Sequence, residues 1–179
     1  MAALAGQRIL LGVTGGIAAY KSADLVRRLR EVGVEVQVVM TEGAQQFITA
    51  TTLQALSGRS VRDSLWDASA EAAMGHIELA RWATRIVIAP ASANTLARLA
   101  HGLADDLLTT VCLASEAPLT LVPAMNRLMW SHPATRHNVT LLRERGAVFL
   151  GPNEGDQACG ESGPGRMLEP AQIVQALSA

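Results

Sequence analysis

A chain of 179 residues is the length of one domain, and 49% hydrophobic residues with few aromatics imply a core of Ala, Val, Leu and Ile. Fifteen Lys plus Arg against 16 Asp plus Glu give no electrostatic reason to expect nucleic acid or an anionic membrane as partner. No apolar run reaches the roughly 20 residues that span a bilayer, no basic segment leads an apolar one at the N-terminus, and 2 cysteines make no disulfide framework; a reducing cytoplasm with free thiols is the expectation.

Residues 8–13 (R-I-L-L-G-V) are a short, nearly continuous apolar run, the pattern of a strand buried on both faces. Thr14-Gly15-Gly16 follows, and a helix is expected over 17–32, with Ala18, Leu25, Val26 and Leu29 on one side and Gly33 as its stop. Residues 34–40 read as a second strand, Thr41 as a cap for a turn near 45–48, 52–56 as a helix ending at Gly58, and 60–63 as a short third strand. A mostly helical stretch is expected over 70–83 with a break at Gly75, then a buried strand over 85–89 ended by Pro90. The loop 91–95 leads into a helix through Ala100, broken by Gly102; Asp105 or Asp106 begins another helix through Leu113. Strands over 119–122 and 147–150 flank a helix over 133–145 stopped by Gly146, and 173–177 is a terminal helical turn or two. The stretch 153–170 reads as a loop rich in glycine. Strands alternating with helices predict an α/β fold in which one parallel sheet is covered on both faces.

Two strand-to-helix turns carry ligand-binding chemistry. Gly15 and Gly16 let a ligand approach the backbone, and the following helix start offers free N–H groups to an anion. Taken alone this is a nucleotide turn or merely a tight connection. Ser92-Ala93-Asn94-Thr95 brings two hydroxyls and an amide to the end of another strand; one residue would suffice as a cap, so a phosphate cradle shared with the first turn is the reading. Asn126, after a strand in P-A-M-N, suits carboxylate recognition, although a cap for the next helix is the plainer reading. His76 lies among apolar helical neighbours, where a lone histidine is more often structural. Cys159 stands in a loop with glycines at 155, 160, 163 and 165, able to close over a ligand, with Arg166 in reach of a phosphate or carboxylate. Cys112, in an apolar helix, reads as a small hydrophobe. No metal-ligand spacing is present.

Five blocks in order, G-G-I-A-A-Y-K (15–21), G-H-I-E-L-A-R-W-A (75–83), P-A-S-A-N-T (90–95), P-A-M-N-R-L-M-W (123–130) and A-C-G-E-S-G-P-G-R-M (158–167), resemble the homo-oligomeric flavin-containing cysteine decarboxylases. The last block is similar to the substrate clamp of the phosphopantothenoylcysteine decarboxylases within that family. Peptidyl-cysteine decarboxylases share the histidine and P-x-M-N blocks without this clamp, and flavin prenyltransferases share the fold without that pair. The resemblance implies a three-layer, Rossmann-like (flavodoxin-like), doubly wound parallel sheet of about six strands with helices on both faces, forming a single domain over 1–179 with a clamp loop at about 153–170.

It further implies FMN as cofactor, bound by Gly15, Gly16, Ile17, Thr41, Ser92, Ala93, Asn94, Thr95 and Ala124. It makes His76 the base and Cys159 the acid, and Met125, Asn126, Gly160 and Arg166 the substrate contacts, with Asn126 on the carboxylate. The implied reaction takes 4'-phospho-N-pantothenoylcysteine to 4'-phosphopantetheine on the route to coenzyme A: oxidation to a thioaldehyde, loss of CO2, and re-reduction of the enethiol. The implied partners are copies of itself, in a trimer-based assembly such as a dodecamer with FMN at a subunit contact, and a phosphopantothenoylcysteine synthetase. A chain ending at Ala179 leaves no room for that synthetase, so it is expected as a separate protein or as a fused second half. The rival expectations are a peptidyl-cysteine oxidative decarboxylase and a non-catalytic flavin-binding regulatory subunit.

Overall fold

The computed structural model describes residues 4–66 and 75–179. The first apolar run forms β1 (Arg8–Val13), followed by a 3-10 turn (Ile17–Tyr20) and α1 (Lys21–Glu31). β2 (Glu35–Met40), a second 3-10 turn (Glu42–Gln46) and α2 (Ala50–Ser57) come next. α3 (Gly75–Trp82) covers the described part of the predicted 70–83 helix; residues 70–74 lie outside the described residues. β3 (Arg85–Ala91), α4 (Ala93–His101), α5 (Leu107–Ala114) and β4 (Leu119–Pro123) follow. The chain continues through α6 (Arg127–Ser131), α7 (Pro133–Glu144), β5 (Val148–Phe149), β6 (Asn153–Asp156), β7 (Ser162–Arg166) and α8 (Pro170–Leu177).

The central sheet is parallel throughout, in the order β2-β1-β3-β4-β5. Alternate side chains of β1 feed two cores, one on each face. Ile9, Leu11 and Val13 pack with Leu25 and Leu29 of α1 and Ile173 of α8. Leu10 packs on the other side with Leu96 of α4, Leu108 and Val111 of α5 and Val139 of α7. That is the three-layer, flavodoxin-like α/β arrangement, and it explains why these strands read as unbroken apolar runs.

Two expectations are corrected. Among the described residues the sheet has five strands where about six were expected: residues 60–63 contribute an isolated parallel bridge between Val39 and Arg62. A neighbourhood of Gly58, Arg59 and Ser60 gives too little apolar area to hold a full strand at the sheet edge. The stretch 153–170 is not an irregular loop either: β6 and β7 pair as an antiparallel ribbon. Helix ends fall where the glycines put them, with Gly58 and Gly102 left-handed at the ends of α2 and α4.

Candidate functional site

In a sheet of this order the chain reverses direction between β1 and β3, and the crevice at their carboxyl ends is open to ligands. A cleft of about 450 Å³ lies there. Its wall is formed by Gly15, Gly16 and Ile17 after β1, by Ser92 and Ala93 after β3, and by Ala124, Met125 and Asn126 after β4. The first two turns are tied together: Thr14 Oγ1 donates to the Pro90 carbonyl at 2.7 Å and accepts from the Ser92 amide at 3.0 Å. A Cβ on Gly15 would stand 3.0 Å from the Gly43 carbonyl carbon, so glycine there lets two backbones meet, whereas a Cβ on Gly16 would meet nothing within 4 Å. Gly16 therefore leaves room beside the backbone for a ligand. Ile17 and Tyr20 stay largely exposed at the mouth, and Met129 and Met167 add apolar lining.

Not every residue expected at the cofactor lines this cleft. Thr41 Oγ1 accepts from the Ala44 amide at 3.3 Å and caps the second 3-10 turn. Ser92 caps α4, its Oγ accepting from the Thr95 amide at 3.2 Å and donating to Thr95 Oγ1 at 3.1 Å, so buried Thr95 is spent on the cap. Asn94 is exposed on the first turn of α4. His76, half-buried on α3, is not among the described residues that line the cleft, and neither is exposed Gly160. Burial pushes the Cys112 thiol up to about 12, which suits the inert role read for it.

The far end of the cleft is built by the ribbon. β7 hangs on the strand β4 exit through the Met125 amide, which donates to the Gly165 carbonyl at 3.0 Å. Gln157 braces the same junction: its Nε2 donates to the Met125 and Pro164 carbonyls at 3.4 and 3.3 Å, and its Oε1 accepts from the Arg127 amide at 3.1 Å. Arg166 lines the cleft from β7. The ribbon carries Cys159 over Asn126, whose Nδ2 lies 3.4 Å from the cysteine sulfur although 33 residues separate them. Asn126 also caps α6, its Oδ1 accepting from the Leu128 amide at 2.8 Å, so the plain reading of this residue holds. That cap orients the amide and points its N–H groups toward Cys159 and Glu161.

Three residues in this end escape a reading by motif. Glu161 accepts from Asn126 Nδ2 at 2.6 Å and from Arg127 Nη2 at 3.3 Å. The Asn126 hydrogen bond, helped by the Arg127 charge, holds its carboxyl below the usual glutamate range. Gln157 is the brace just described. Lys21, almost fully buried, donates to the Met167 carbonyl at 3.3 Å and to Glu169 Oε1 at 2.6 Å, fixing the end of the ribbon to α1. The only sequence signal for Glu161 and Lys21 is their presence inside the quoted blocks. Among the described residues no cluster of His, Cys, Asp or Glu could hold a metal ion, and no helix is long and apolar enough to cross a membrane.

Comparison with known proteins places this geometry in context. The family model described as "Flavoprotein" matches residues 2–179. The coenzyme A biosynthesis bifunctional protein CoaBC of Vibrio vulnificus is 59% identical over 174 residues, covering 97% of this chain and 43% of that protein. The chain thus spans less than half the length of the curated relatives it matches. A solved cysteine-to-serine variant of PPC decarboxylase, complexed with pantothenoylaminoethenethiol, superimposes with a TM-score of 0.85 at 36% identity over 96% of each chain. The FMN binding protein AtHal3 gives 0.82 at 37% identity, covering 96% of this chain and 94% of its own.

Proposed function

The chain belongs to the flavoprotein family, and from that membership we propose that it binds FMN and decarboxylates 4'-phospho-N-pantothenoylcysteine to 4'-phosphopantetheine in coenzyme A biosynthesis. The observation that carries the reading is the meeting of Asn126 and Cys159 at one end of a cleft whose other end is the open glycine turn. Similarity to PPC decarboxylase and to the FMN binding protein AtHal3, each over 35% identical, supports it.

The residues present fit the cofactor. Gly15, Gly16 and Ile17 offer backbone and an open face, Ser92 and Ala93 the start of α4, and Ala124 and Met125 an apolar floor. Thr41 and Thr95 contribute by holding the shape of these loops, and Asn94 stands on the first turn of α4 beside them. When bound, FMN would supply a reversible two-electron store for oxidation of the thiol-bearing carbon and later re-reduction. The Asn126 amide binds the departing carboxylate and aligns it. His76 accepts the thiol proton during oxidation, and the Cys159 thiol protonates carbon during reduction. Gly160 and Arg166 hold the substrate beneath the ribbon, which with Met129 and Met167 keeps water from the intermediate.

Since His76 does not line this cleft, we assign it to the cleft of a second copy, in a trimer-based assembly with the flavin at the subunit contact. The exposed Ile17 and Tyr20 at the mouth are apolar surface suited to such a contact. The relatives' greater length suggests a synthetase as fused or separate partner, and a cytoplasmic location is part of the same proposal.

Purified protein should be yellow and release FMN on denaturation. Supplied with phosphopantothenoylcysteine it should yield CO2 and 4'-phosphopantetheine, while a peptide ending in cysteine should not react. A colourless preparation that flavin does not reconstitute, or a yellow one that releases no CO2, defeats the proposal.

A further inference from the structure

We propose that the Asn126 amide and the Arg127 guanidinium together form a seat for the substrate carboxylate, and that Glu161 occupies this seat as an internal stand-in until substrate displaces it. The inference rests on the substrate reading above and extends it to two residues. Its basis is geometric. Glu161 reaches back from the ribbon and engages both donors at once, Oε2 on Asn126 Nδ2 at 2.6 Å and Oε1 on Arg127 Nη2 at 3.3 Å. A carboxylate held by an amide and a guanidinium side by side is the recognition pattern expected of a carboxylate ligand. The same Asn126 nitrogen lies 3.4 Å from Cys159 Sγ, so the seat is beside the thiol the reaction needs.

Two carboxylates cannot share these donors. Both would be ionised at neutral pH, and like charges at such separation repel. Binding therefore requires Glu161 to swing out of the seat, while the ribbon stays anchored through Gln157 to Met125 and through Lys21 to Glu169. Glu161 is part-exposed and can turn toward solvent without leaving a buried charge. The arrangement gives the ribbon a partner in Asn126 and Arg127 and selects for ligands whose carboxylate can compete. A ligand lacking the carboxylate gains nothing by displacing Glu161.

Equilibrium binding to the flavin-loaded protein tests this with two probes that do not turn over. 4'-Phospho-N-pantothenoylserine keeps the carboxylate but lacks the thiol; 4'-phosphopantetheine lacks the carboxylate. E161A should bind the serine compound roughly three- to tenfold more tightly than the parent, with E161Q in between, because a charge-assisted competitor is removed. The affinity for 4'-phosphopantetheine should stay within about twofold. Adding R127A to E161A should abolish the gain. An unchanged or weaker affinity for the serine compound in both Glu161 variants overturns the inference. Asn126 side-chain amide resonances, read without any ligand, should move in E161Q; resonances that stay in place also overturn it. A parent protein that binds neither compound counts against the substrate reading instead, and the amide resonances then decide the Glu161 contact alone.

Discussion

Gly165 shows how narrowly single positions are specified at this site. Its φ of +139° is one that side-chain-bearing residues rarely adopt, and an added Cβ would overlap the Met125 carbonyl oxygen. G165A should cost about 1–3 kcal/mol, and hydrogen exchange over β6 and β7 should accelerate as the ribbon leaves Met125. Unchanged protection there would mean the ribbon is held elsewhere. Glu161 gives a second prediction at this scale, set by the sign of its shift. Its carboxyl is held below the ordinary range by Asn126 first and Arg127 after it, with Cys159 Sγ the remaining neighbour at 3.8 Å. A depressed value in the folded chain means the contact stabilises above the ordinary glutamate value and is lost as pH falls through the lowered one. Asn126 amide resonances should therefore shift with a midpoint below the ordinary glutamate range. A midpoint in or above that range contradicts the contact. The two residues differ in legibility. Gly165 was legible as a glycine-rich stretch near Cys159, but Glu161 was not, because its partners lie some 35 positions earlier in the chain.

Elements were legible in proportion to how far their own side chains determine them. β1 and β3 are buried on both faces, so an unbroken apolar run marks them. Asp106 and Ser92 announce α5 and α4 as caps. β7 is S-G-P-G-R, a composition that argues against a strand, and its pairing with β6, its bond to Met125 and the Gln157 brace on Pro164 keep it extended. α6 has five residues, too short to show a helical period. What holds the ribbon's exit is also tertiary: Lys21 of α1 bonds to the Met167 carbonyl and to Glu169, the residue before α8. K21M keeps most of the aliphatic stem and removes these bonds. It should lower unfolding free energy by about 1 kcal/mol, a modest figure because Glu169 is half exposed. Chemical denaturation reads this, and a K21M protein as stable as the parent would leave the tether without a stabilising role.

At the scale of the whole molecule, strand–helix alternation was enough to give a parallel, doubly wound sheet with its cleft at the carboxyl ends of the strands. It does not say whether or how copies combine, since a subunit contact is formed by surfaces that no periodicity marks. The cleft holds Asn126 and Cys159 while His76 sits on α3, packed against α5. If the histidine acts in a neighbour's cleft, two variants each dead by itself must complement one another. H76N and N126D, expressed separately, should keep flavin and lose turnover. Co-expressed as differently tagged copies and purified through both tags, they should regain roughly a third of the parental rate per site, because one of the three contacts in every mixed trimer pairs an intact His76 with an intact Asn126. Subunits that are inactive in every mixture, or a parent protein that sediments as a monomer with full activity, would place His76 and Asn126 in the same copy. The cleft would then have to be completed by a rearrangement within one chain instead of by contact between chains.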